Sequence, residues 1–144
     1  MTLQTDLVLV PVDASDRSRE ALSYGVAVAD RYDAEVHVLH VVDDSVAECV
    51  AAGEVDAGEV ADQQRALVGD ARRSADVPLS HSTAVGFSRS RLRGHPGSTI
   101  LDVAEELMAD FVVVPREKGG EPDGTLGRAA QYVLEYASQP VLSV

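Results

Sequence analysis

Apolar residues in this chain fall into two rhythms. Residues 7–12 (LVLVPV), 34–42 (AEVHVLHVV), 79–86 (LSHSTAVG), 110–115 (DFVVVP) and 141–144 (VLSV) form short runs rich in Val and Leu. The most apolar of these are unbroken rather than alternating, which predicts strands buried on both faces, as in a parallel sheet. Between the runs, apolar residues recur at helical spacing. One stripe is Ala21, Leu22, Gly25, Val26 and Ala29, and a second is Val60, Gln64, Leu67, Val68 and Ala71. A third is Ile100, Val103, Ala104, Leu107 and Met108, and a fourth is Leu126, Ala129, Ala130, Val133, Leu134 and Ala137. Residues 46–59 are weaker and interrupted by Gly53 and Gly58, so loop and frayed helix both remain open there.

Punctuation supports the same division. Asp13-Ala14-Ser15-Asp16 supplies turn and N-cap chemistry, Asp43-Asp44-Ser45 closes the second strand, Ser98 or Thr99 can cap the next helix, and Pro140 stops the last one. Strand–helix–strand, a helical insert, then strand–helix–strand–helix–strand predicts right-handed crossovers and one α/β domain spanning 1–144, its sheet covered on both faces. In such folds ligands bind beyond the carboxyl ends of the strands, where the strand order reverses. The loops after Val12, Val42, Gly86 and Val114 are therefore the places to look for chemistry.

Composition narrows the partners. There are 24 acidic and 12 basic residues, a net charge of −12, and Lys118 is the only lysine. Such a charge repels nucleic acid and acidic membrane surfaces. Acidic, lysine-poor composition fits a high-salt, halophilic cytoplasm, where self-repulsion is screened within a few ångströms. No apolar run reaches the roughly 20 residues of a membrane span, and the N-terminus has no basic segment ahead of an apolar core. Cys49 is the single cysteine, so the chain has no internal disulfide and reads as cytoplasmic, with the thiol a passive small residue.

Three stretches then resemble one family. LVLVPVDASDRSREALSYGVAVADRYDAEVHVLHVVD looks like the first strand–helix–strand of the universal stress protein family, with its Pro-Val-Asp and His-Val-Val-Asp endings. GHPGSTILDVAEELMADFVVVP is similar to its Gly-x-Pro, helix and fourth strand, and LGRAAQYVLEYASQPVLSV to its last helix and Pro-Val-Leu-x-Val ending. The resemblance is weakest over 46–76. It implies a doubly wound three-layer sandwich around a five-stranded parallel sheet of order 3-2-1-4-5, and that some members bind ATP. By the family pattern, Val12, Asp13 and the backbone around Val41 face adenosine. A loop after strand four, Gly-x-x-Gly, nine residues, then Gly-Ser or Gly-Thr, cradles the phosphates.

That loop departs from the pattern. Counting back from Pro140-Val141 puts Gly127 on the last signature glycine and Arg128 on the hydroxyl position. The first glycine falls on Pro115, which has no N–H to offer, and the second on Glu117 or Lys118. Lys118 and Arg128 can hold phosphate by charge, with Gly119, Gly120 and Gly124 supplying partial replacement, while Glu117, Glu121 and Asp123 oppose it. Gly119-x4-Gly124 lacks the lysine of a Walker A loop. The site expected from sequence is therefore Val12, Asp13, Val41, Lys118, Gly119, Gly127 and Arg128, with ATP or another adenine nucleotide as ligand and its binding weakened, altered or lost.

Other features carry less. Asp13 is either ligand-facing or the acceptor of an Asx-turn, and both roles are compatible. Arg89, Arg91 and Arg93 form an anion site or a solvated face paired with the protein's own carboxylates. His37 and His40, three apart on a strand, point to opposite faces and cannot share a metal. No Ser-His-Asp or paired-carboxylate spacing marks a catalytic centre, and no Asp ends strand three as a phospho-receiver requires. The reading is a regulatory or binding module of the stress response, a homodimer through the edge strand at 140–144. The alternative is an ATP- or AMP-binding protein with weak hydrolase activity.

Overall fold

A computed structural model of the chain describes residues 4–13, 15–87, 96–116 and 126–144; the side chains of 43–45, 85–87, 96, 127 and 128 lie outside that description. In chain order the elements are β1 (Leu7–Val12), α1 (Asp16–Tyr32), β2 (Glu35–Asp43), α2 (Asp44–Ala51), α3 (Ala57–Ser74), β3 (Leu79–Phe87), α4 (Pro96–Glu106), β4 (Phe111–Val114), α5 (Gly127–Tyr136) and β5 (Val141–Ser143). The five strands form one parallel sheet ordered β3-β2-β1-β4-β5, as the resemblance implies.

Two apolar clusters sandwich this sheet. One joins Val8, Val10, Val12, Val36 and Val38 to the α1 and α3 stripes, including Ala21, Leu22, Val26, Leu67 and Val68. The other joins Leu9, Leu39, Val41, Val112 and Val114 to Ile100 and Ala104 of α4 and to Ala129, Ala130 and Val133 of α5. Strand residues alternate between the two clusters because successive side chains leave opposite faces of a strand. Gly25 lets α1 lie close on the sheet: a Cβ there would stand 2.4 Å from Val10 Cγ2. Gly97 does the same between α4 and α5, where a Cβ would meet the Tyr132 ring at 2.7 Å.

Asp43 closes β2 as expected, Asp44 opens α2, and the stretch left open between loop and frayed helix is a helix to Ala51. Three local expectations are corrected. α4 starts at Pro96, so Ser98 and Thr99 lie inside it rather than capping it. Proline suits the first turn, where its missing N–H has no helical acceptor in any case. Leu107 and Met108 are not core: α4 ends at Glu106, and they are 38% and 80% exposed. Leu134 is 52% exposed on the outer face of α5, while its neighbour Val133 is fully buried.

Candidate functional site

The order reverses between β1 and β4, with β2 on one side of β1 and β4 on the other. The pairing there is uneven. β1 pairs with β2 along its whole length, Leu7↔Glu35 to Val12↔His40, but with β4 only at Val8↔Phe111 and Leu9↔Val112. The cause is in the sequence. Main-chain groups of a parallel strand point alternately to its two neighbours. Asp6 O accepts from Glu35 N (3.0 Å), so even residues of β1 face β2, and Leu7 O accepts from Asp110 N (2.9 Å), so odd residues face β4. Residue 11 is the next odd position after Leu9, and it is a proline with no N–H to donate. The β1–β4 ladder stops just below it.

Asp13 follows this point and is half-buried. Its Oδ1 accepts from Ser15 N (2.8 Å) and from the Ser18 hydroxyl (2.9 Å), while the same hydroxyl accepts from Asp13 N (2.8 Å). Ser15 caps α1, its side chain accepting from Ser18 N at 3.4 Å. The Asx-turn expected at Asp13 is therefore formed, and a fully buried serine locks it. Val12 is fully buried against α1 and α3, and Val41 is buried in the opposite cluster, so both present backbone at the carboxyl edge.

On the β4 side, Pro115 is buried and has no N–H. Arg116 N donates to Val144 O at 2.8 Å, extending the β4–β5 pairing beyond Ser143. The first two residues after β4 therefore have no free main-chain donor for an anion. Arg17 of α1 reaches across and donates through Nη1 to Arg116 O at 3.2 Å, tying the β1–α1 turn to the end of β4. Gly127 and Arg128 open α5; its N-cap Leu126 makes no side-chain cap bond, and Leu126 O accepts from Ala129 N and Ala130 N at 3.1 and 3.2 Å. Lys118 and Gly119 lie outside the described residues, as do Arg89, Arg91 and Arg93. The structure thus brings Val12, Asp13 and Val41 to one edge and leaves Gly127 and Arg128 at the start of the helix that follows β4.

Histidine reasoning holds in three dimensions. His37 and His40 leave opposite faces of β2: His37 contacts the Ser80 and Ser82 hydroxyls at 2.8 Å each, and His40 meets the His81 ring. Sequence reasoning missed the approach of His81 to His40, which depends on the register of β2 against β3. Among the described residues, no group of three or more His, Cys, Asp and Glu side chains is arranged to hold a metal. Cys49 is half-buried, and burial together with Glu54 raises its thiol pKa, which disfavours the reactive thiolate.

Comparison with known proteins agrees with this architecture. The sequence description of the "Universal stress protein family" matches residues 5–144. A universal stress protein of Methanocaldococcus jannaschii is 29% identical over 138 residues, covering 95% of this chain and 80% of that protein. Among solved structures, universal stress protein UspA from Lactobacillus plantarum superposes with a TM-score of 0.76 at 24% identity, over 99% of both chains. A universal stress protein in complex with cAMP gives 0.70 at 19% identity, over 99% of this chain and 98% of that one. One from Archaeoglobus fulgidus in complex with dAMP gives 0.64 at 19%, over 99% and 98%.

Proposed function

The chain belongs to the universal stress protein family, and we propose that it is a regulatory binding module of the stress response whose ligand is an adenine nucleotide held chiefly by its nucleoside end. The observation that carries this is the pair of residues after β4. Pro115 has no N–H, and the Arg116 N–H is bonded to Val144 O at 2.8 Å. A phosphate cradle needs convergent free N–H groups, and glycine where the backbone must approach the ligand. The nucleoside side keeps what the family pattern asks for, Asp13 in a formed turn and the backbone at Val12 and Val41. The cAMP and dAMP complexes of structural relatives support a monophosphate ligand. Lys118, Gly119 and Arg128 contribute charge and a turn in this reading, without the affinity that a glycine-lined cradle gives to further phosphates. The module works as a homodimer through the open edge of β5, where strand 140–144 meets its twofold mate. It acts by binding rather than by hydrolysis, since a loop that grips the β- and γ-phosphates poorly cannot position them for attack.

Thermal-shift titration with millimolar AMP, cAMP, ADP, ATP and inorganic phosphate in high salt tests the ligand, because ligand bound to the native state stabilises it by mass action. AMP and cAMP are expected to raise the melting temperature, and ADP and ATP to add no more than AMP does. An ATP shift well above the AMP shift overturns the nucleoside-end reading, and no shift with any nucleotide removes nucleotide binding altogether.

A further inference from the structure

On the α1–α3 side of the sheet, the apolar series Val36, Val38 of β2 ends in a polar residue. His40 is 4% exposed, and its Nε2 has no hydrogen-bond partner. The exposed His81 of β3 stands perpendicular to it, with ring centroids 5.4 Å apart. Its register partners are Val12 on β1 and Thr83 on β3, and the Thr83 hydroxyl donates to Gln64 Oε1 of α3 at 3.3 Å. The titratable groups acting on His40 are His81 from β3 and His37 from the other face of its own strand, both cationic when protonated. Of the ionised residues of α3, Asp62 pairs with Arg65, Asp70 with Arg19 of α1 and Arg73, Arg72 donates to Leu79 O, and Glu59 is exposed. No carboxylate is among the groups that shift His40.

We propose that His40 is an acid-operated latch: protonation of its buried ring releases the carboxyl end of β2, including Val41, from β3 and α3. A buried imidazolium without a counter-charge is strongly disfavoured, so the proton enters only as the packing around it opens. Burial first, then the neighbouring His81 and His37, push His40 down to about 4. In the unfolded chain a histidine titrates near 6.5. Between those values the unfolded state binds the extra proton, so the stability owed to neutral His40 is complete above about pH 6.5 and is lost as pH falls towards 4. Because Val41 is the next residue along β2, the latch would also regulate the nucleoside edge of the site; this second consequence rests on the nucleotide reading, and the first does not.

Urea unfolding of the full chain from pH 7.5 to pH 4, at constant high salt, compares wild type with His40→Phe, which keeps a ring and cannot ionise. The folded-to-unfolded ratio of wild type is expected to fall by about 100-fold more than that of the variant by pH 4. Parallel profiles overturn the latch. If the variant does not fold, NMR titration of the wild-type imidazoles decides: a His40 midpoint well below 6 supports the latch, and a midpoint near 6.5 overturns it. For the site, the AMP-induced thermal shift should weaken between pH 7 and pH 4 in wild type and persist in His40→Phe; equal loss in both overturns the regulatory half. Absence of any AMP shift at pH 7 counts against the nucleotide reading, and the unfolding profiles then judge the latch by themselves.

Discussion

At the scale of the residue, the turn after β1 depends on one hydroxyl. Ser18 is fully buried, accepts from Asp13 N at 2.8 Å and donates to Asp13 Oδ1 at 2.9 Å, so it serves both the main chain and the carboxylate of that residue. Ser18→Ala removes both bonds and leaves a part-buried N–H without its acceptor, a loss of about 1–3 kcal/mol, which a urea midpoint measures. Ser18→Thr keeps the hydroxyl but adds a methyl group at a site with no exposed surface, so only part of the loss should be recovered. The position of Asp13 was legible from sequence, since a carboxylate ending the first strand of a doubly wound fold stands at the switch point. The role of Ser18 was not, because nothing in a helical stripe shows a hydroxyl turning back to the strand before it.

At the scale of the element, two helices end alike. α1 closes through Asp33 at φ 55°, with Ala34 N donating to Ala29 O at 2.8 Å; α4 closes through Met108 at φ 54°, with Ala109 N donating to Ala104 O at 2.8 Å. Each is a left-handed stop followed by a buried alanine that leads into a strand. Aspartate tolerates that conformation and methionine does not favour it. Met108→Asn is expected to raise stability by about 0.5–1 kcal/mol, measured as a higher denaturation midpoint, and it removes a side chain that is 80% exposed. The existence and type of the main strands and helices were legible because buried runs and 3.6-residue stripes are set by burial alone. The end of α4 was not, because Leu107 and Met108 continue the apolar spacing past the point where the backbone turns. The start of α4 hid for a related reason: Pro96 signals a break, and here it marks a first turn.

At the scale of the whole molecule, charge dominates. The net charge of −12 is spread over 144 residues, and the ion pairs among the described residues are exposed, so they contribute little in isolation. Self-repulsion of like charge falls as the screening length shortens from about 10 Å at 0.1 M salt to about 3 Å at 1 M. The melting temperature is therefore expected to rise from 0.1 M to 2 M KCl, and a flat or falling curve would count against the halophilic reading. The sandwich and its strand order follow from periodicity together with the family resemblance. The candidate site was only half legible: Val12, Asp13 and Val41 lie at strand ends, which sequence locates well. The main-chain donors left after β4 depend on a pairing of Arg116 with Val144, a contact no spacing rule announces.

Pro11 gives the fold a seam. Below it, β1 is bonded to both neighbours; above it, β1 is bonded to β2 and not to β4. The separation is written into the main chain as one absent hydrogen atom, rather than into the shape of surrounding side chains. Side-chain substitutions along this edge therefore leave the separation of β1 from β4 in place, because what sets it is a property of the main chain at one position.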